Sequence, residues 1–275
     1  SNFAKLDTMV TVVDAANFLD NFDSIDTLEE IGESLGEDDE RDLVNLLTDQ
    51  IEFCDVLILN KVSEVSKEDL VQIKKVIKSL NPIAEIIETD YSKVSLDKIL
   101  NTGKFDFDRA SQDPMWLKEN RGEHVPETEE YGISSFTYKA NRPFHPQRFW
   151  DYTQAEWTGV VRAKGYFWLA SRWLGVGLLS QAGKMRNLSC AGTWWGAYDT
   201  AQWPPEVIEL SKKENWDPFY NDRRQELVII GIKPNKEEIT KSLDACLLTD
   251  EEMQMDPNEW KNFSDPFPEW NFEEN

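Results

Sequence analysis

The 275-residue chain holds only two histidines and three cysteines, and its 29 Lys+Arg are far outnumbered by 52 Asp+Glu. Each shortage excludes something. Two histidines leave little room for Ser-His-Asp or Cys-His nucleophile chemistry, and a hydrolase reading has no motif to stand on. Three cysteines, Cys54, Cys190 and Cys246, are an odd number at wide spacing. They suit reduced, buried thiols of a cytoplasmic protein better than a disulfide framework. No stretch of about 18 apolar residues occurs, so no membrane-spanning helix is expected, and no basic-then-apolar signal opens the chain. A formal net charge of −23 repels phosphates, which argues against a nucleic-acid partner.

The charge that is present sits at the ends. Residues 1–50 hold 14 acids against 2 bases and residues 250–275 hold 9 against 1, leaving a nearly neutral body. Such blocks are solvated ends or docking surfaces for a basic partner. Tryptophan divides the chain differently: all 11 lie at or after Trp116, whereas the first 115 residues use Val, Ile, Leu and Lys. That shift, with a length sufficient for two domains, predicts an α/β unit over 1–104, a polar linker over 105–130, a second unit over 131–250 and an acidic, aromatic tail over 251–275. In the tail, WKNFSDPFPEWNF interleaves aromatics with Pro and acids. It is too apolar for a merely solvated end and is expected to pack back onto its own domain or to meet a partner.

In the first unit, short apolar runs at 8–14, 54–60 and 83–88 read as strands of a parallel sheet buried on both faces. Helical spacing appears within the acidic stretch 26–52, at Leu43, Leu46, Leu47 and Ile51. It recurs over 66–80, where Ser66 and Asp69 resemble a capping box. In the second unit, strands are predicted at 132–139, 160–170, 174–182, 187–195 and 226–232, and helices at 146–154, 205–213 and 236–245. The order is that of an antiparallel sheet with helices on one face.

Three motifs bear on chemistry. CDVLILNKVSEV delivers Asn60-Lys61 at the end of a buried strand. It resembles the guanine-reading Asn-Lys-x-Asp element of P-loop GTPases, in which the Asn reads base edges, the Lys stem packs along the ring and the Asp accepts the guanine N1–H and N2–H. Here the fourth position is Ser63, whose hydroxyl cannot replace a bidentate acceptor, at a cost of roughly 1–3 kcal/mol in discrimination. The same residues also suit a strand that simply ends in a turn. No Gly-x-x-x-x-Gly-Lys-Ser/Thr phosphate loop occurs in the chain. Either the chain is a piece of a longer protein, with Ser1-Asn2 a tag remnant, or its α/β unit never holds nucleotide. In Asn141-Arg-Pro-Phe-His-Pro-Gln-Arg148, Arg142 and Arg148 flank His145, as an anion- or metal-facing cluster or as a capped loop that buries Phe144 and Phe149. His124 and Glu123, near further glutamates, are weak candidate ligands for a divalent cation.

Taken in order, TVVDAANF, DQIEFCDVLILNK, YGISSFTYKANRPFHPQRF, VVRAKGYFWLAS and ELVIIGIKPNKEEITKSLDACLL resemble the CobW family of GTPases. The likeness is greatest to its bacterial branch of zinc chaperones expressed under zinc limitation. The resemblance implies a G domain followed by a CobW C-terminal domain. It implies GTP with magnesium in the parent protein, hydrolysis coupled to delivery of zinc or another divalent metal, and a metalloprotein client. Carried onto this sequence, it assigns nucleotide contacts to Asn60, Lys61 and, as a departure, Ser63, and matches Asp14 to the family's Val-Asp-Ala strand end. The family's phosphate loop and Cys-x-Cys-Cys metal motif have no counterpart in the chain, so by itself the chain is expected to be inactive. A different class of function, a docking or self-associating module without chemistry, stands beside this one.

Overall fold

Two sheets organise the residues that the computed structural model describes, 5–27, 30, 42–107, 132–214 and 216–270. The first sheet is parallel, in the order β1-β2-β3, formed by Val10–Asp14 (β1), Val56–Asn60 (β2) and Glu85–Glu88 (β3). The central strand β2 carries Val56, Leu57, Ile58 and Leu59, none more than 5% exposed. That accounts for its unbroken apolar sequence. Register places Asp14 opposite Asn60 and Leu59 opposite Glu88, so the three strands end at one edge.

Helices α1 (Ala15–Asp23), α2 (Leu43–Glu52) and α3 (Lys67–Leu80) pack on this sheet through Phe18, Val44, Ile51, Ile73 and Ile77. Each is capped by a side chain the sequence supplies: Asp14 accepts from Ala16 N, Asp42 from Asn45 N and Ser66 from Asp69 N. At Ser66 the expected capping box takes a different form. The Asp69 carboxylate accepts from the Ser66 hydroxyl at 2.8 Å, since Asp is a methylene shorter than the Glu that reaches a cap's backbone N–H. Helix α1 follows β1 without a break and was not expected from the sequence. Buried Asn81 ties the end of α3 to its neighbours. Its amide donates to the carbonyls of Ile51 and Cys54 at 2.8 Å, and its Oδ1 accepts from Ala84 N at 3.0 Å.

The second sheet is antiparallel, in the order β4-β8-β5-β6-β7. Its strands are Ile133–Ala140 (β4), Val160–Phe167 (β5), Gly175–Ala182 (β6), Met185–Thr193 (β7) and Gln225–Ile232 (β8). One face is covered by α4 (Pro146–Gln154) and α6 (Lys236–Cys246) around Phe144, Phe149, Phe167, Leu227 and Leu243. Helix α5 (Pro205–Lys213) lies between β7 and β8 in the chain. The sheet is therefore as expected, with one addition: part of its other face is covered by the first unit. Val161 and Ala182 belong to the same apolar cluster as Phe22, Val44 and Ile77, and Ile232 packs against it.

Polar chemistry fixes that seam. Arg162 is 2% exposed and donates from Nε to Glu52 Oε1 at 2.8 Å; its NH1 reaches Ser180 Oγ and the Gln181 carbonyl. At the β6–β7 turn Gly183 has φ +52°, and a Cβ there would lie 2.1 Å from the Phe22 carbonyl oxygen. Only glycine lets the turn approach α1 that closely.

The tail packs back onto its own unit. Trp260 is fully buried with Trp168 and Leu248, and Phe267 joins Phe149 and Phe167. Arg172 clamps it, binding both oxygens of Asp265 and the carbonyls of Phe267 and Pro268 while lying over the Trp270 ring.

Removing Arg162 leaves the largely buried Glu52 carboxylate, 13% exposed, without its partner. Arg162→Met is expected to destabilise by about 3–5 kcal/mol. Much of that loss is expected to be recovered when Glu52→Leu is added, as measured by urea unfolding of both variants.

Candidate functional site

The C-terminal edge of a parallel sheet is where open α/β folds bind ligands, because strand ends and helix N-termini converge there. Here that edge gathers residues from all three strands. Asn60 closes β2, and its Oδ1 accepts from Ser92 N at 2.8 Å, which fixes the side chain against the loop after β3. Lys61 follows in a left-handed conformation, φ 62°. Its ammonium returns to Asp14 at the end of β1, Nζ to Oδ2 2.7 Å. Val62–Glu64 forms a single 3₁₀ turn, and Val62 N donates to the Thr89 carbonyl.

Asp14 is held three ways, by Ala16 N at Oδ1 and by Asn17 Nδ2 and Lys61 Nζ at Oδ2. Burial works to raise its carboxyl, but the Lys61, Asn17 and Ala16 hydrogen bonds outweigh that and leave it below the ordinary carboxylate value. Reciprocally, the hydrogen bond to Asp14 raises the Lys61 ammonium. The lysine is thus a cation fixed to the end of β1.

Ser63 is brought to the same edge, but its partner lies on the loop after β3. Its backbone N–H and its hydroxyl both reach Asp90 Oδ1, at 3.1 and 2.8 Å. Asp90 and Ser92 were not singled out in the sequence. Among 52 acidic residues, position after a strand of a parallel sheet was the one available signal for Asp90. The two residues after Asp90, Tyr91 and Ser92, both have positive φ, and Tyr91 is 87% exposed. Left-handed non-glycine residues are uncommon and gather at binding sites; with Lys61 this edge has three.

The other sequence candidates have structural partners. Arg142 donates to the Leu248 carbonyl and Asp250, and Arg148 to Glu252 and the Leu247 carbonyl. His145 caps α4, with Arg148 N 3.5 Å from Nδ1, and its ring lies 4.7 Å from that of Phe263. Burial lowers its pKa. The block is thus the capped loop of the two expectations, with Phe144 and Phe149 fully buried. His124 and Glu123 lie outside the described residues. The three cysteines are unbridged; Cys54 and Cys246 are buried and Cys190 is half-buried. Burial pushes the Cys54 thiol to about 11 and that of Cys246 to about 12. Neither offers the thiolate that a metal requires. No group of three or more His, Cys, Asp or Glu suited to a metal occurs among the described residues. No described helix is long and apolar enough to cross a membrane.

Comparison with known proteins places both units. Residues 1–88 match the CobW/HypB/UreG nucleotide-binding domain, and residues 133–247 match the cobalamin synthesis protein CobW C-terminal domain. The chain is 42% identical over 269 residues to zinc-regulated GTPase metalloprotein activator 1 of Dictyostelium discoideum, covering 96% of this chain and 57% of that protein. It is 27% identical over 257 residues to a protein of Mycobacterium tuberculosis named as a zinc chaperone, covering 90% and 60%. The chain thus spans a little under three fifths of the length of the first relative. The crystal structure of Zn(II)-bound YjiA GTPase from E. coli aligns over 89% of this chain and 62% of that one, at 14% identity and a TM-score of 0.34. A likeness so slight carries no argument.

The Arg148–Glu252 pair carries a pH signature. Hydrogen bonds from Arg148 hold the Glu252 carboxyl down at about 2, against its ordinary 4.5. A carboxyl depressed on folding stabilises above its unfolded pKa and loses that contribution as pH falls through the folded one. Glu252→Gln is expected to cost roughly 1 kcal/mol at pH 7, a figure reduced for partial exposure. The difference from the parent should shrink below about pH 4.5 and vanish near pH 2 in thermal melts across that range.

Proposed function

The chain belongs to the CobW family, with its nucleotide-binding and C-terminal domains in tandem, and from that premise we propose that it forms part of a GTP-dependent zinc metallochaperone. The observation that carries this reading is the strand-end cluster: Asn60 and Lys61 delivered by β2 to an edge that also holds Asp14, with Asn60 locked by Ser92 N. The names of the relatives support the zinc and GTP parts.

The residues present fit one portion of a nucleotide. Asn60 and the Lys61 stem suit a purine base. The sequence has no glycine-rich loop of backbone amides for phosphates, so no phosphoryl-transfer step is assigned to this chain's residues. GTP supplies a bond whose hydrolysis drives a change of state, and magnesium would accompany its phosphates. Zinc is the cargo. Its ligands are not found among the described residues. Partners in this reading are a metalloprotein client and a cytoplasmic setting, with no role for nucleic acid.

The test uses the product of the whole gene, with GTP and ATP turnover followed with and without one equivalent of zinc. Zinc-responsive turnover of GTP that Asn60→Ala lowers about tenfold or more is expected, the loss of one polar base contact. Turnover equal for ATP and GTP, or indifferent to Asn60→Ala, would overturn the reading.

One observation favours a second reading, a docking module without chemistry. A cleft of about 870 Å³ lies beside the tail, lined by Arg172, Trp173, Phe219 and Trp270, and Phe219 is 65% exposed. In this reading light scattering shows association, with a client or a second copy, that persists without nucleotide or zinc and is lost in Phe219→Ser.

A further inference from the structure

The departure at Ser63 leaves a base-reading edge without the carboxylate that guanine requires at that position. The loop after β3 puts one there. Asp90 Oδ1 lies 2.8 Å from Ser63 Oγ and 3.1 Å from Ser63 N. We propose that Asp90 is the guanine-specificity residue of this chain, its carboxylate standing in for the one that position 63 lacks.

The inference rests on the base-edge reading of Asn60 and Lys61 above, and three observations carry it further. First, both hydrogen bonds from Ser63 converge on Oδ1. Among the described residues Oδ2 accepts none. A carboxylate has about four acceptor sites, two on each oxygen; Ser63 fills those of Oδ1, and the group keeps both sites of Oδ2 for the N1–H and N2–H donors of a base. Second, the loop that carries the carboxylate is tied to the neighbouring strand end. Ser92, two residues on, donates to Asn60 Oδ1, and Thr89 N donates to the Leu59 carbonyl at 2.9 Å. The loop bearing Asp90 is therefore fastened to the residue pair that would contact the same base. Third, the edge has room for one such charge. An Asp at position 63 would bring a second carboxylate against Asp90, and like charges at that separation oppose each other's ionisation. With Ser63 donating and Asp90 accepting, the edge keeps one unpaired anion beside the Asp14–Lys61 couple.

A site built around a carboxylate acceptor discriminates by what the base donates. Guanine offers N1–H and a 2-amino group. Hypoxanthine lacks the amino group, adenine has no N1–H, and xanthine presents a carbonyl at C2. Analogues that leave a polar partner unmatched are rejected strongly.

The experiment is saturation-transfer NMR on the whole chain with the 5′-monophosphates of guanosine, inosine, xanthosine and adenosine at millimolar concentration. The parent chain is expected to bind GMP in preference to IMP, XMP and AMP. Asp90→Asn turns one acceptor into a donor. It is expected to weaken GMP about tenfold or more and to strengthen XMP, whose C2 carbonyl accepts from the new amide. The exchanged variant Ser63→Asp/Asp90→Ser should restore the parent order, which separates loss of the carboxylate from damage to the loop. If Asp90→Asn leaves the order of the four ligands unchanged, Asp90 is not the specificity residue, while the base-edge reading stands. If the parent chain binds none of the four, the base-edge reading falls and this proposal with it.

Discussion

A guanidinium sealed between helix α2 and the second sheet sets the terms for the rest of the molecule. Arg162 lies 2% exposed on β5, facing the first unit, with Glu52 at the end of α2 as its carboxylate. Apolar contact across the seam, through Val161, Ala182 and Ile232, is non-directional and tolerates sliding. A guanidinium–carboxylate contact does not, because its donors point along fixed directions. The register of β5 against β8 shifts between Val160 and Arg162. That extra residue lets Val161 and Arg162 both address the first unit while Val160 and Ala163 stay in the other core. A bulge re-aims side chains in this way. The two matched domains thus meet at an interface continuous with the core of the first unit, and the strand-end cluster is built on an α/β unit whose helices are backed by the second sheet.

That arrangement explains the burial of the second sheet. A sheet with one solvated face shows alternating burial, yet β8 is buried at Gln225, Glu226, Leu227, Val228 and Ile229 in succession. One set of side chains meets α4 and α6, while the first unit covers part of the opposite face. Buried Glu226 keeps its charge through Lys139 and Arg224: burial raises its carboxyl, and those cations pull it below the ordinary value. The tail completes the enclosure. Arg172 holds Asp265 and two carbonyls at once, which accounts for aromatics such as Trp260 and Phe267 lying inside an otherwise acidic end.

Much of this was legible in the sequence wherever one residue type had one physical use. The runs at 54–60 and 226–232 became β2 and β8 because continuous Val, Ile and Leu suit a doubly buried strand. Ser66 marked a helix start for a local reason. Helix α1 was missed because AANFLDNFD is short and Asp14 reads equally as a strand end and as a cap. The place of β8 between β4 and β5 was not legible, since strand order depends on long-range pairing. In the strand-end cluster Asn60 and Lys61 stood out through their dipeptide and position. Asp90 did not, because its meaning lies in a partner 27 residues away.

Ser63 illustrates why a motif read along the chain and a site read in space can disagree without either being mistaken. Along the chain, serine at the fourth position is a loss: a hydroxyl has neither the charge nor the paired oxygens of a carboxylate. In space, what a base would meet in the proposed reading is the set of groups at an edge, and parallel strands bring the ends of β2 and β3 there together. Thr89 N bonded to the Leu59 carbonyl and Ser92 N bonded to Asn60 hold those ends in register. A carboxylate mounted on either strand end then faces the same small volume. Electrostatics limits that volume to one unpaired anion, because Asp14, the other carboxylate of the cluster, is already neutralised by Lys61. The count of acids in the chain says nothing about this, and −23 is a poor guide to the edge. There the balance is one paired Asp–Lys couple and one carboxylate held by a serine, an arrangement able to accept hydrogen bonds without gathering enough charge to repel a nucleotide.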